Sequence, residues 1–158
     1  MENKRKVIEY SEYESIEELS VEDRELMKEA MRAVDTAYSP YSKFKVGAAV
    51  RLGDGTLVRG SNQENIAYPS GLCAERTAMF AASVEYPEQA IVSLAVIGCN
   101  SEGEYVEASP CGACRQVMSE MELKYGQQMR VFCYLKGGRI REIRGVSGLL
   151  PFGFEAEL

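Results

Sequence analysis

The sequence predicts a three-layer α/β/α fold in which helices cover both faces of a mixed five-stranded sheet. Helix-like and strand-like patterns alternate along the chain in the order helix, hairpin, helix, strand, helix, strand, strand. Such alternation is typical of an α/β layered domain. The chain has 158 residues, of which 46% are apolar, so it is long enough to bury one core without disulfide bonds.

The first helix is predicted to follow an N-terminal arm. Residues 1–19 are charged and irregular in pattern, so we interpret them as the arm and assign a single domain to residues 20–158. From Ser20 onward apolar residues recur at spacings of three and four, and Ser20 with Asp23 fits a capping box. The helix should end before Pro40, because the residue that precedes a proline avoids helical backbone angles.

A hairpin and a second helix are expected next. Two short strand-like runs on either side of residues 53–55, which read Gly-Asp-Gly, predict a β-hairpin. Pro69 and Gly71 then interrupt the chain, and a helix is predicted from Cys73 to about Val84.

The second half of the chain supplies the centre of the predicted sheet. The apolar run from Ile91 to Cys99 is continuous and rich in β-branched residues, as expected for a buried central strand. A third helix is predicted from about Cys111. Two further strands, joined by a tight turn at Gly137 and Gly138, complete the five.

The acidic composition, with a formal net charge of -6, disfavours a nucleic-acid partner. Nucleic-acid affinity depends on Lys and Arg side chains that neutralise phosphates, so a small neutral molecule is the more compatible substrate. No apolar run approaches the roughly 20 residues of a membrane-spanning helix, and the first residues lack the apolar core of a secretory signal. We therefore expect a cytoplasmic location and no membrane partner.

Three cysteines and one glutamate form a candidate metal site. Cys111 and Cys114 are one helical turn apart, so both thiols can face one ion. Cys73 begins the preceding helix, and a right-handed crossover brings both helix starts to the same end of the sheet. The positive ends of two helices favour thiolates there. Three thiolates leave one zinc position open to water, as in catalytic sites, and Glu75 should lie beside the metal.

Histidine is absent, so acid-base chemistry has to come from carboxylate, Lys, Tyr or Cys side chains. Glu75 is therefore the candidate proton carrier. A C-x-x-C pair alone is also typical of a structural zinc site or a redox pair, and Glu75 also fits an exposed first-turn carboxylate. Cys99 and Cys133 are predicted to be buried core thiols. The same patterns leave Phe44 and Phe154 open as plain core aromatics.

Cys-Ala-Glu at residues 73–75, read with the segment P-C-G-A-C-R-Q-V at residues 110–117, resembles the small homotetrameric zinc-dependent cytidine deaminases. The resemblance spans residues 21–158. It implies that Glu75 takes a proton from the attacking water, passes it to the pyrimidine N3 and later protonates the departing ammonia. It also implies that Arg76 hydrogen-bonds the ligand sulfurs. The zinc ligands that it implies, for one ion per subunit, are Cys73, Cys111 and Cys114.

The same resemblance implies a nucleoside substrate. Phe44 would stack on the base, and Asn62 with Glu64 would hydrogen-bond the ribose hydroxyls. Tyr68 and Phe154 would reach the site of a neighbouring subunit in the tetramer, and Phe154 matches the family pattern better than Phe152. The implied substrate contacts are Phe44, Asn62, Gln63, Glu64, Tyr68 and Phe154.

The expected activity is hydrolytic deamination of cytidine and 2′-deoxycytidine to uridine and 2′-deoxyuridine, a pyrimidine salvage reaction at the C–N bond of a cyclic amidine. Lys45, Gln63 and Ile66 depart from the family pattern near the sugar pocket. Alternatives are a deaminase of another cytosine nucleoside, such as a blasticidin-type antibiotic, a polynucleotide deaminase, and an inactive zinc-stapled structural or interaction module. Such a module needs a fourth protein ligand, and Cys99 and Cys133 are the spare thiols.

Overall fold

A mixed seven-stranded sheet forms the middle layer of the protein, in a computed structural model that describes residues 1–154. The strands are β1 (Tyr10–Tyr13), β2 (Lys45–Leu52), β3 (Leu57–Ser61), β4 (Ile91–Cys99), β5 (Tyr105–Val106), β6 (Arg130–Tyr134) and β7 (Ile140–Arg144). Their order is β1-β7-β6-β4-β2-β3, with β5 paired to one end of β4. The β4–β6 pair is parallel, and the other pairs are antiparallel.

Three α-helices cover the sheet: α1 (Val21–Ala33), α2 (Ala74–Glu85) and α3 (Gly112–Tyr125). Short 3-10 turns occupy Ile16–Glu18, Val34–Thr36, Tyr68–Ser70, Lys136–Gly138 and Val146–Gly148. Buried side chains of α1 pack with one face of the sheet, and those of α2 and α3 pack with the other. The predicted three-layer α/β/α architecture is therefore confirmed. None of the helices within residues 1–154 combines the length and the hydropathy that a bilayer span requires.

Alternation along the central strands separates the two halves of the core. In β2, Ala48 and Val50 pack on the side of α2 and α3, whereas Ala49 packs on the side of α1. This follows from the two-residue period of a strand, which sends successive side chains to opposite faces. Since both faces are covered, the interiors of the central strands β2 and β4 are mostly apolar.

The prediction of five strands was wrong, because the described residues form seven. The five expected strands are present as β2, β3, β4, β6 and β7, in the expected positions around the three helices. The additional strand β1 pairs antiparallel with β7 and comes from the segment that we interpreted as an arm. Its residues are mostly exposed and polar, so they carry no apolar alternation. The other addition, β5, has two residues, too few to produce a pattern.

The helix ends agree with the sequence to within a few residues. The Asp23 backbone N–H donates to Ser20 Oγ at 3.1 Å, which confirms Ser20 as the cap of α1. Cys73 and Cys111 occupy the N-cap positions of α2 and α3. Each helix therefore begins one residue after the cysteine at which it was predicted to begin. Gly137 has a φ of 82°, as the tight turn before β7 requires.

A buried ionic network joins four elements. Arg130 of β6 donates to both carboxylate oxygens of Asp23 in α1, at 2.9 and 2.8 Å. Its Nε donates to Glu142 of β7 at 2.8 Å, and the Tyr13 hydroxyl of β1 donates to the same carboxylate at 2.7 Å. Burial disfavours the ionised form of Glu142, but the hydrogen bonds from Arg130 and Tyr13 outweigh it and hold the pKa of Glu142 below its ordinary value.

Replacing Arg130 with Met should lower the free energy of unfolding by about 2–4 kcal/mol, because Asp23 and Glu142 would remain buried without their cation. The loss should shrink as the pH falls from 4.5, the ordinary pKa of a glutamate, through the lowered pKa of Glu142 in the folded protein, because the protonated carboxyl no longer needs the cation. Urea-induced unfolding at fixed protein concentration measures both effects.

The matched control is Arg144→Met, which removes a second contact with Glu142, from a side chain that is 73% exposed. It should cost less than about 1 kcal/mol. Equal losses from the two variants would contradict a dominant role for Arg130.

Candidate zinc and substrate site

The starts of α2 and α3 lie side by side and bring three cysteines together. Cys73 caps α2, Cys111 caps α3, and Cys114 lies in the first turn of α3. The sulfurs of Cys73 and Cys111 are 3.8 Å apart, and those of Cys111 and Cys114 are 3.5 Å apart. All three sulfurs lie within 4.8 Å of one another.

This cluster fits a zinc ion. In tetrahedral coordination with Zn–S distances of about 2.3 Å, two sulfurs lie about 3.8 Å apart, close to the separations found here. Within residues 1–154 the cluster has no fourth metal-ligating side chain. Cys99 and Cys133 are buried in the core, as predicted, and do not belong to it. Three protein ligands and one open position are typical of catalytic zinc sites.

The cluster favours a thiolate at Cys73. A hydrogen bond from the Cys114 thiol lowers the pKa of Cys73 to about 5, and the Arg76 guanidinium contributes. The same hydrogen bond, together with burial, raises the pKa of Cys114. Arg76 Nη2 donates to Cys73 Sγ at 3.4 Å, so its positive charge offsets part of the negative charge on the sulfur.

Glu75 lies in the first turn of α2, between Cys73 and Arg76 in sequence. Its side chain is buried, with the residue 4% exposed, yet it lines the cavity in front of the cysteines. Burial, assisted by the negative charge of Cys73, raises the pKa of Glu75 to about 7. A buried carboxyl whose pKa is near neutrality can both take up and release a proton, as general acid-base catalysis requires.

A cavity of about 790 Å³ opens in front of the cysteine cluster. This volume lies in the range of sites for small organic ligands. Four chain segments and Val96 form its wall, and the segments are residues 41–46, 62–65, 68–76 and 107–111. The lining residues that the sequence singled out are Phe44, Asn62, Gln63, Glu64, Tyr68, Cys73, Glu75, Arg76 and Cys111.

Phe44, Asn62 and Glu64 line the same cavity. Asn62 Nδ2 donates to the Phe44 carbonyl at 3.0 Å, and Asn62 Oδ1 accepts from the Val46 N–H at 2.8 Å. The Ser42 hydroxyl, with the N–H groups of Tyr41 and Ser42, holds the pKa of Glu64 below its ordinary value. Glu64 is therefore an ionised acceptor at neutral pH.

Two of the predicted substrate residues have other contacts. Gln63 lines the cavity, but its side-chain amide donates to the Thr36 carbonyl at 3.2 Å and to Ser61 Oγ at 3.1 Å. Phe154 does not line this cavity in the single chain. Its ring is exposed, and its carbonyl accepts from Gln116 Nε2 at 2.7 Å.

The segment Glu107–Ser109 lines the cavity beside Cys111 and was not predicted from the sequence. This segment directly precedes Pro110 and Cys111. Its closeness in sequence to a metal ligand was the signal that could have predicted its place in the cavity wall. Ser42 was also missed, although it stands between Tyr41 and Phe44 in the segment that carries the aromatic side chain.

The chain is similar to known proteins along most of its length. A family model described as the cytidine and deoxycytidylate deaminase zinc-binding region matches residues 20–127. A cytidine deaminase from Halalkalibacterium halodurans is 44% identical over 132 residues, which cover 84% of this chain and 93% of the relative. A cytidine deaminase from Sporosarcina psychrophila is also 44% identical over 132 residues, with 84% of this chain and 90% of the relative covered.

Solved structures agree with these relatives. The crystal structure of a cytidine deaminase from Burkholderia pseudomallei matches with a TM-score of 0.71 at 37% identity, over 82% of this chain and 97% of that one. A cytidine deaminase from Mycobacterium tuberculosis matches with a TM-score of 0.67 at 31% identity, over 87% of this chain and all of that one. The chain therefore belongs to the cytidine and deoxycytidylate deaminase family.

Proposed function

We propose that this protein catalyses the zinc-dependent hydrolytic deamination of cytidine and 2′-deoxycytidine to uridine and 2′-deoxyuridine. The observation that carries the proposal is one cavity that joins a three-thiol zinc cluster and a buried Glu75 to the wall with Phe44, Asn62 and Glu64. The relatives named cytidine deaminase support the same substrate class. A role in pyrimidine salvage and a cytoplasmic location accompany this activity.

In the proposed reaction Cys73, Cys111 and Cys114 hold the zinc ion. Bound zinc acts as a Lewis acid that makes water nucleophilic at neutral pH. Glu75 takes a proton from the attacking water and delivers it to N3 of the pyrimidine, which prepares C4 for attack. Glu75 then takes the remaining proton from the new hydroxyl group at C4 and passes it to the amino group, so that the C4 carbonyl forms as the C–N bond breaks and ammonia leaves. Arg76 keeps Cys73 in place through its hydrogen bond to the sulfur.

The remaining hydrogen-bonding capacity of Asn62 and Glu64 suits a sugar hydroxyl. Three groups of the protein donate to the Glu64 carboxylate, which has about four acceptor sites, so about one is left. The Asn62 amide donates one of its two N–H groups to Phe44 and keeps the other. A hydroxyl group both donates and accepts, so it matches the pair. Phe44 supplies a ring on which a base can stack.

We further propose a homotetramer with sites that neighbouring subunits complete. It is formed by the domain at residues 20–158, with residues 1–19 as an arm whose strand β1 pairs with β7. Large apolar side chains remain exposed in the single chain, and contiguous exposed apolar surface is typical of subunit contacts. Tyr68, which lines the cavity, is 77% exposed, and Phe154 is 85% exposed. Further exposed apolar residues are Ile66, Phe80 and Val84.

Replacing Glu75 with Gln should keep the fold and the bound zinc but lower kcat for cytidine by roughly 10²- to 10⁴-fold, because an amide cannot carry the proton. Uridine formation, zinc content and thermal melting are the measurements. Glu85→Gln, at the exposed far end of the same helix, is the matched control and should keep the full rate. An unchanged rate in the Glu75 variant would remove the proposed mechanism.

The substrate assignment is tested with cytidine, 2′-deoxycytidine, cytosine and cytidine 5′-monophosphate. Ammonia release is expected from the two nucleosides. Removal of zinc with a chelator should abolish the release, and added zinc should restore it, because the ion supplies the nucleophile. If none of the four compounds releases ammonia, the antibiotic-type substrate or the inactive module replaces this proposal.

The composite site predicts that Phe154→Ala raises KM for cytidine roughly two- to tenfold, the loss expected for one aromatic contact. Light scattering should give four times the mass of one chain for the wild-type protein. Phe152→Ala, which removes an exposed ring two residues away, is the control and should leave KM unchanged. A fully active monomer would contradict the composite site.

A further inference from the structure

The loop that carries Phe44 is joined to the segment with Glu64 by side-chain hydrogen bonds. The Glu64 carboxylate accepts from the backbone N–H of Tyr41 at 2.9 Å and from that of Ser42 at 3.3 Å. The Ser42 hydroxyl donates to the other oxygen of the same carboxylate. Glu64 therefore fixes the loop immediately before the aromatic residue.

Ser42 transmits this contact to Phe44. Its hydroxyl oxygen accepts from the Phe44 backbone N–H at 3.0 Å while its hydrogen is donated to Glu64. The carbonyl on the other side of Phe44 is held by Asn62. The backbone N–H and the carbonyl of Phe44 thus both depend on side chains of residues 62–64. Asn62 holds the carbonyl directly, and Glu64 holds the N–H through the Ser42 hydroxyl.

The backbone between Ser42 and Phe44 needs such support. Lys43 has a φ of 58°, and it is the one non-glycine residue with a positive φ in the described part of the chain. This left-handed conformation is unfavourable for a lysine, so hydrogen bonds within the loop and to the segment with Glu64 have to maintain it. The contacts available are the Lys43 N–H to the Ser39 carbonyl at 3.1 Å and the bonds made through Ser42.

We propose that Ser42 is a positioning residue that couples the carboxylate of Glu64 to the ring of Phe44. The inference rests on the proposed function, in which Glu64 binds a sugar hydroxyl and Phe44 stacks on the base. Because one hydroxyl bridges the two, the sugar contact and the base contact support each other without Ser42 touching the substrate. Loss of the hydroxyl weakens ground-state and transition-state binding equally, so it acts on KM and not on kcat.

Ser42→Ala should raise KM for cytidine roughly three- to tenfold, the range for one hydrogen bond of this kind, with kcat within about twofold of wild type. Calorimetric binding of the product uridine should weaken by the same factor. Ser42→Thr keeps the hydroxyl and should restore wild-type values. Ser39→Ala, in the same loop with its side chain outside the network, should change neither constant. An unchanged KM in Ser42→Ala overturns the inference.

A double-mutant cycle with Phe44→Leu separates positioning of the ring from an effect on Glu64 alone. Once the ring is gone, Ser42→Ala should raise KM by less than about twofold further. A full and additive rise would overturn the coupling while leaving the proposed function intact. If the wild-type protein neither deaminates cytidine nor binds uridine, the proposed function fails, and this inference fails with it.

Discussion

The close approach of α2 to the sheet is the constraint on which the site depends. Gly60 of β3 lies under this helix, where a Cβ atom would be 2.3 Å from the Ala78 nitrogen and 2.5 Å from the Ala74 oxygen. A side chain at this position would push the helix start away from the sheet, and Cys73 and Glu75 would move with it. Metal-ligand distances tolerate shifts of only about 0.2 Å. The absence of one side chain in the sheet thus determines whether three sulfurs can meet.

A zinc site built from three thiolates carries excess negative charge. Three thiolates on a dication leave one net negative charge, beside a carboxyl group that is itself buried. Two helix starts and Arg76 offset this charge, because the helix N-termini carry partial positive charge and the guanidinium contacts Cys73. Bound water at such a centre is less acidic than at a histidine site. In the proposed reaction the nearby Glu75 is correspondingly more important as the proton acceptor.

Short-range patterns were enough to predict the layers, the helix starts and the cysteine cluster. The spacing of Cys111 and Cys114 alone predicts that they share a helix face. Cys73 was predicted to lie beside them because strand–helix–strand crossovers have a fixed hand. The strand at Tyr10–Tyr13 was missed because its stability comes from pairing with β7 and from the bond of Tyr13 to Glu142, neither of which is local. The contacts of Ser42 were missed for the same reason, since they join residues about twenty positions apart.

Asn62 and Glu64, which belong to the proposed substrate contacts, illustrate why a binding loop can be both polar and rigid. Neither residue needs a substrate to be hydrogen-bonded, because each already holds the backbone around Phe44. The loop is therefore ordered by the same atoms that retain spare capacity for a ligand, and the entropy of ordering is lost on folding rather than on binding. The strained backbone at Lys43 is maintained by these contacts in the free protein. A ligand that adds one hydrogen bond to this network meets a ring that is already in position.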